Sequence, residues 1–209
     1  MKKIILSVFV LLILTSCKEN DPKTADFDYG TIENGVYKNN YFNFEMPVND
    51  KWFPKSKKDR ILMSSKTKKT ENKSDKSPDV KGADVKNAVL FSIAKFPAEA
   101  VQTANPSMFI NSVNLEGYPN IKSPSDYIAM TRQMLDNTPL ILVYKKEPYA
   151  KTIDGVEFQV MEIFNQDYGV TQEYLATLRN GFAISIVMAY TSEIQKEELY
   201  IMLDHLKFK

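Results

Sequence analysis

Val170 to Tyr190 reads VTQEYLATLRNGFAISIVMAY. This stretch decides the fold. Asn180-Gly181 suits a two-residue hairpin turn, in which both positions need a positive φ. Runs rich in β-branched and aromatic residues flank it, so Val170 to Leu178 and Phe182 to Tyr190 read as paired strands. A two-residue loop sets Leu178 opposite Ala183, Ala176 opposite Ser185 and Tyr174 opposite Val187. The other face then carries Leu175, Ile184, Ile186, Met188 and Tyr190. Both faces of the last strand are apolar. A sheet with one solvated face would alternate with polar residues instead. Both faces therefore need a cover.

Two helices are available as covers. Ser123-Pro124-Ser125-Asp126 opens one of them. Ser123 suits the N-cap, Pro124 the first helical position and Asp126 the positive end of the helix dipole. The helix is expected to run to about Asp136, with Tyr127, Met130 or Thr131, and Met134 on its buried side. The second begins near Ser192, where Gln195 completes a capping-box spacing. Leu199, Met202, Leu203 and Leu206 form its apolar stripe. His205 lies near its C-terminal end and reads as a surface group. The expected class is α+β, with an antiparallel sheet flanked by helices on both faces, an α/β/α sandwich.

Further strands extend this sheet outward. Asn87 to Phe96, Met108 to Leu115, Leu140 to Tyr144 and Val156 to Phe164 all have strand composition, and Ile153-Asp154-Gly155-Val156 contains a hairpin turn. Near the N-terminus, Gly35 to Met46 reads GVYKNNYFNFEM. Val36 and Tyr37 start a strand, Asn39-Asn40 marks a turn, and Tyr41 to Met46 returns with aromatics at Phe42 and Phe44. Pro47 to Pro54 reads as a loop carrying Trp52. This aromatic strand pair with its following Trp52, the strand-rich centre and the closing hairpin plus helix resemble the PsbP-like superfamily (Mog/PsbP fold). The resemblance spans Gly35 to Lys209. It implies a sheet between helices, used for binding or assembly rather than catalysis, and it carries over no partner or binding residue.

The first seventeen residues read differently. Lys2 and Lys3 precede an apolar run from Ile4 to Leu14, interrupted only by Ser7. As a helix that run spans about 16 Å, short of a bilayer core of about 30 Å, so it reads as a signal-peptide segment. Leu14-Thr15-Ser16-Cys17 resembles the bacterial lipobox. The resemblance implies cleavage before Cys17 and lipidation of that residue, with anchoring to the membrane through its acyl chains (palmitate among them). Lys18-Glu19-Asn20-Asp21 has no Asp directly after the cysteine and looks like a lysine-then-acidic surface-export signal. The expected location is the outer membrane, on its periplasmic side or at the cell surface. The expected organisation is a signal peptide at 1–16, lipidated Cys17 and a flexible tether at 17–34, and one domain at 35–209.

Charge is segregated. The chain carries a net +1 overall, yet Lys55 to Lys86 holds 11 Lys/Arg and 5 Asp/Glu, a net +6, leaving −5 for the remainder. Residues 64–86 hold few apolar side chains and read as a disordered basic insertion. Lys66, Lys68 and Lys69 there are candidates for a binding surface, as are the aromatics Trp52, Tyr37 and Tyr41, which could stack on a sugar or form part of the core. The insertion lacks aromatics for stacking on single strands, and the overall charge gives no basic field, so no nucleic acid is expected.

One cysteine and one histidine exclude Cys-based zinc and multi-His metal sites, and no cofactor is expected. No nucleophile-elbow, zincin, P-loop or dinucleotide motif occurs. Glu162 is expected across from about Gln172, with Glu157 and Glu173 on the opposite face. Two readings follow: a non-catalytic binding or assembly module for an envelope protein or polymer, and an envelope hydrolase whose acidic residues converge through the fold.

Overall fold

The computed structural model describes residues 25–65, 81–100 and 104–209. Cys17, Lys66, Lys68 and Lys69 lie outside the described residues. In chain order the elements are β1 (Thr31–Glu33), β2 (Val36–Asn39), β3 (Phe44–Pro47), β4 (Phe53–Pro54), α1 (Lys57–Ser65), β5 (Asn87–Ala94) and β6 (Ser107–Asn114). Then come α2 (Pro124–Asp136), β7 (Leu142–Tyr144), β8 (Tyr149–Ile153), β9 (Val156–Asn165), β10 (Val170–Arg179), β11 (Phe182–Tyr190), α3 (Glu193–Leu203) and β12 (Lys207–Phe208).

The main sheet is antiparallel, in the order β4-β5-β6-β11-β10-β9-β7, with β8 also paired to β9. The β10–β11 hairpin has the register that its Asn-Gly turn dictates, Leu178 opposite Ala183 and Tyr174 opposite Val187. Asn180 and Gly181 both take positive φ, at 54° and 77°. Alternate residues of these strands enter two separate cores. Leu175, Ile184, Ile186 and Met188 pack with Leu199, Met202 and Leu203 of α3. Ala176, Ala183, Met161 and Ile163 pack with Tyr127 and Ile128 of α2. The α+β class and the two-sided burial of β11 are as expected. A second sheet, β1-β2-β3-β12, was not expected, and it packs in the same core as α3. Its Tyr37 meets Phe91 of the main sheet at 5.1 Å between ring centroids, and Phe208 meets Phe158 at 6.1 Å.

Several local expectations are corrected. The tether does not reach residue 34: Phe27 is buried against Phe42 and Phe182, and β1 pairs with β2. On α2 the buried positions are Tyr127 and Ile128, while Met134 is 62% exposed. The loop from Pro47 to Pro54 contains β4, which pairs with β5. The basic insertion is shorter than 64–86. At its start, Lys57–Ser65 is helical, begun by Ser56, whose hydroxyl and Asp59 bond each other in the manner of a capping pair. At its end, Lys81 bridges Asp26, and Gly82–Asp84 forms a 3₁₀ turn whose first amide donates to the Ala25 carbonyl.

Helix α1 closes the open edge of β5. An uncovered edge exposes unpaired backbone groups. Here the Lys55 amide donates to the Ser92 carbonyl, the Arg60 guanidinium to the Leu90 carbonyl, and the Val89 amide to the Ser64 hydroxyl. Leu90 sits at a bulge, where the register against β6 shifts between Val89 and Phe91. Arg60 is 1% exposed and also donates to the carbonyls of Tyr29 and Gly30. Its guanidinium carbon lies 5.5 Å from the centroid of the Tyr37 ring, within cation–π range.

The approach of Gly30 to Tyr37 yields a prediction. Gly30 has φ +71°, and a Cβ there would fall 2.3 Å from the Tyr37 hydroxyl oxygen. Gly35 has φ +74° with open space around it. Gly35→Ala is expected to cost only backbone strain, about 1 kcal/mol, whereas Gly30→Ala adds a clash against a buried ring and should cost roughly 2–4 kcal/mol. Urea midpoints of the two variants measure the difference, and equal midpoints would contradict the close approach.

Candidate functional site

The aromatic residues proposed as a stacking surface do not form one. Trp52, Tyr37 and Tyr41 are 4%, 0% and 8% exposed and belong to the main core. Phe27, Tyr41, Phe42 and Phe182 make a connected set of edge-on and tilted ring contacts. The Tyr37 hydroxyl donates to the Tyr29 carbonyl and accepts from the Asn39 side-chain amide. These residues hold the small sheet to the large one, and no ring face is open to a ligand.

The carboxylates are arranged differently from the expectation as well. β9 and β10 are joined by a loop from Gln166 to Gly169, which places Glu162 opposite Glu173 rather than Gln172. The one-residue shift turns Glu173 onto the face of Glu162, because side chains alternate across a strand. Glu157 lies opposite Thr152, near the other end of β9.

Glu173 is the centre of a polar cluster within the α3-side core. Its side chain is buried, yet both oxygens are occupied. Oε1 accepts from the Tyr190 hydroxyl at 2.6 Å and lies 3.1 Å from Lys196 Nζ; Oε2 accepts from the Tyr200 hydroxyl at 2.5 Å. Burial alone would raise the Glu173 pKa. The two tyrosine hydrogen bonds and the Lys196 charge outweigh it and hold the carboxyl below its ordinary value. Burial and the neighbouring carboxylate push the Tyr190 and Tyr200 hydroxyls up, so both remain donors. Lys196 is held above its usual value, because the Glu173 charge overcomes the opposing effect of burial. Lys196 and Tyr200 belong to α3, and Glu173 and Tyr190 to the sheet. The cluster fastens the helix to the sheet, and it keeps Glu173 as a hydrogen-bonded anion with no proton to give.

A groove of about 580 Å³ opens at another place, lined by Lys86, Asn87, Val113, Asn114, Glu116 and Tyr118 among others. Both ends of the Asn114 amide are engaged, donating to the Val85 carbonyl and accepting from the Glu116 amide. Tyr118 is largely exposed, and Lys86 and Glu116 present opposite charges. The groove lies at the start of β5, next to the Gly82 amide that bonds the Ala25 carbonyl. Sequence reading missed it because its walls come from two short 3₁₀ turns and the ends of two strands, which carry no motif.

No protein-family model and no curated protein matches the chain. Among solved structures it is similar to the solution structure of cyanobacterial PsbP (CyanoP) from Synechocystis sp. PCC 6803. The likeness covers 83% of this chain and 91% of that one, at 13% identity and a TM-score of 0.48. It is also similar to LpqN, involved in cell envelope biogenesis of Mycobacterium tuberculosis, over 79% of this chain and 83% of that one, at 12% identity and a TM-score of 0.44. At these scores neither likeness bears on what this chain binds or does.

The Glu173 cluster predicts a pH dependence. A carboxyl whose folded pKa lies below its unfolded value stabilises the fold above the unfolded pKa, and that stability is lost as pH falls through the folded value. Glu173→Gln should destabilise the protein at pH 7, by about 2–4 kcal/mol, since a buried charge network loses its anion. The gap to wild type should shrink steadily below about pH 4.5. Thermal melts from pH 7 to pH 3 test this, and a gap that stays constant would contradict the ionised, hydrogen-bonded state.

Proposed function

We propose that the chain is a lipid-anchored lipoprotein of the bacterial outer membrane whose PsbP-like domain acts as a non-catalytic binding or assembly module. The observation that carries the reading is Leu14-Thr15-Ser16-Cys17 behind a short apolar segment. Acylation at Cys17 anchors firmly, because each buried CH₂ contributes about 0.8 kcal/mol and several chains share one residue. Among the described residues no helix is long and apolar enough to cross a membrane. The order of elements supports the PsbP-like part of the reading: an aromatic strand pair first, and a closing hairpin followed by a helix.

The state of Glu173 supports the non-catalytic part. The register sets Glu162 opposite Glu173 on one face of the sheet. Glycoside hydrolysis requires one carboxyl as a proton donor, with its pKa raised. Glu173 is shifted the other way, and its oxygens already serve two tyrosines and a lysine. A module that binds or assembles uses its surface instead, and the groove beside Lys86 and Tyr118 is a concave part of that surface among the described residues.

Growth of the producing bacterium with an alkyne-tagged palmitate tests the anchor. The tag is expected on the chain, in the outer-membrane fraction, and absent from Cys17→Ala. A labelled Cys17→Ala variant, or an unlabelled wild-type chain, would contradict lipidation at this residue.

A further inference from the structure

We infer that the edge of the domain formed by β4, α1 and β5 is the face that lies on the membrane, where it contacts anionic headgroups through lysines and inserts exposed aromatic rings. The inference takes its orientation from the lipid-anchored reading above, but the contact itself is a property of the folded domain.

Three large apolar side chains are exposed along this edge. Phe53 on β4 is 51% exposed, Leu62 on α1 is 49% exposed, and Phe96 just beyond β5 is 43% exposed. Phe53 pairs with Ala94, and Phe96 follows two residues further along the chain, beyond the end of β5. Lys95 Nζ lies 6.0 Å from the Phe96 ring centroid but is ion-paired with Glu198 at 2.5 Å, so the cations available at this edge are others. Lys51, Lys55 and Lys57 flank Phe53 in the chain and are all exposed. Exposed rings rimmed by lysines suit a surface that is apolar beneath and anionic above. Among the described residues of α1 and its approach, Lys55, Lys57 and Lys58 are exposed against a single exposed carboxylate, Asp59, while Arg60 is buried.

The route of the chain agrees. Ala25 and Asp26 meet Gly82 and Lys81 beside the start of β5, so the tether joins the domain at one end of this same edge. Only seven residues separate Cys17 from Ala25. Fully extended they reach no more than about 28 Å, close to the length of β5, about 26 Å. A tether this short, attached at one end of the edge, lets β5 lie along the bilayer with Phe53 and Phe96 at its far end. The opposite edge, at β7, also exposes apolar residues, with Ile141 at 55%, but the tether does not meet the domain there.

Vesicle binding by an acyl-free chain separates this contact from the anchor. The described core lies wholly within 25–209, so a chain beginning at Lys18 retains it. That chain is expected to co-sediment with vesicles of phosphatidylglycerol and phosphatidylcholine, and much less with phosphatidylcholine alone. F53S combined with F96S should weaken binding roughly tenfold with an unchanged melting temperature. I141S, on the opposite edge, should leave it unchanged. Binding that survives F53S/F96S, binding lost on I141S, or no binding to either vesicle would overturn the inference; the last result would fit a protein partner for this edge. Failure of the anchor itself would appear only as lost palmitate labelling.

Discussion

The structure depends on one buried cation. Arg60 sits 1% exposed and donates to the backbone carbonyls of Tyr29, Gly30 and Leu90, with the Tyr37 ring beside it. Burial pulls its pKa down, against the favourable influence of Tyr37 and Asp28, yet a guanidinium stays charged in proteins. Burying a cation is costly unless its donors are satisfied, and here carbonyl oxygens satisfy them instead of a carboxylate. Only Nε has no hydrogen-bond partner. Through this one side chain, α1, the bulge of β5, the N-terminal segment and the small sheet are fixed to one another. The Gly30 backbone must come close for this to happen, which is why its φ is positive and its Cβ position is filled by Tyr37.

A second polar knot performs the same service across the molecule. Glu173 binds two tyrosines and a lysine, and so holds α3 to the sheet. One knot is cationic and the other anionic, each set within an otherwise apolar core. Such networks favour one packing over others because half-satisfied alternatives are expensive. Glu173, expected on the face opposite Glu162, lies on the same face and fastens α3 to the sheet.

Much of the main sheet was legible because its signals are local. Asn180-Gly181 set the register of β10 and β11, and Ser123-Pro124 with Asp126 set the start of α2. The register between β9 and β10 differs from the expected one by a residue, because a four-residue loop has no unique geometry and a single slip reverses the face of Glu173. Helix α1 was hidden by its charge. Its capping pair Ser56 and Asp59 was present, but a run of lysines with Arg60 among them reads as solvated, and nothing local says that one cation in the run turns inward. The second sheet escaped notice because its partners are distant in sequence. Phe208 pairs with Phe44, 164 positions earlier in the chain. Trp52, Tyr37 and Tyr41 show the same limit, since an aromatic cluster looks alike in a binding platform and in a core until burial is known.

The functional account joins a short tether to a basic, aromatic edge. The lipobox-like stretch would hold the chain at a bilayer, and the seven-residue tether would keep the domain close to it. Neutron reflectometry of the acylated protein on a supported bilayer containing phosphatidylglycerol measures this directly. The account predicts protein density that begins at the headgroup layer with no solvent layer between. A hydrated gap approaching the reach of the tether, about 20 Å or more, would contradict it.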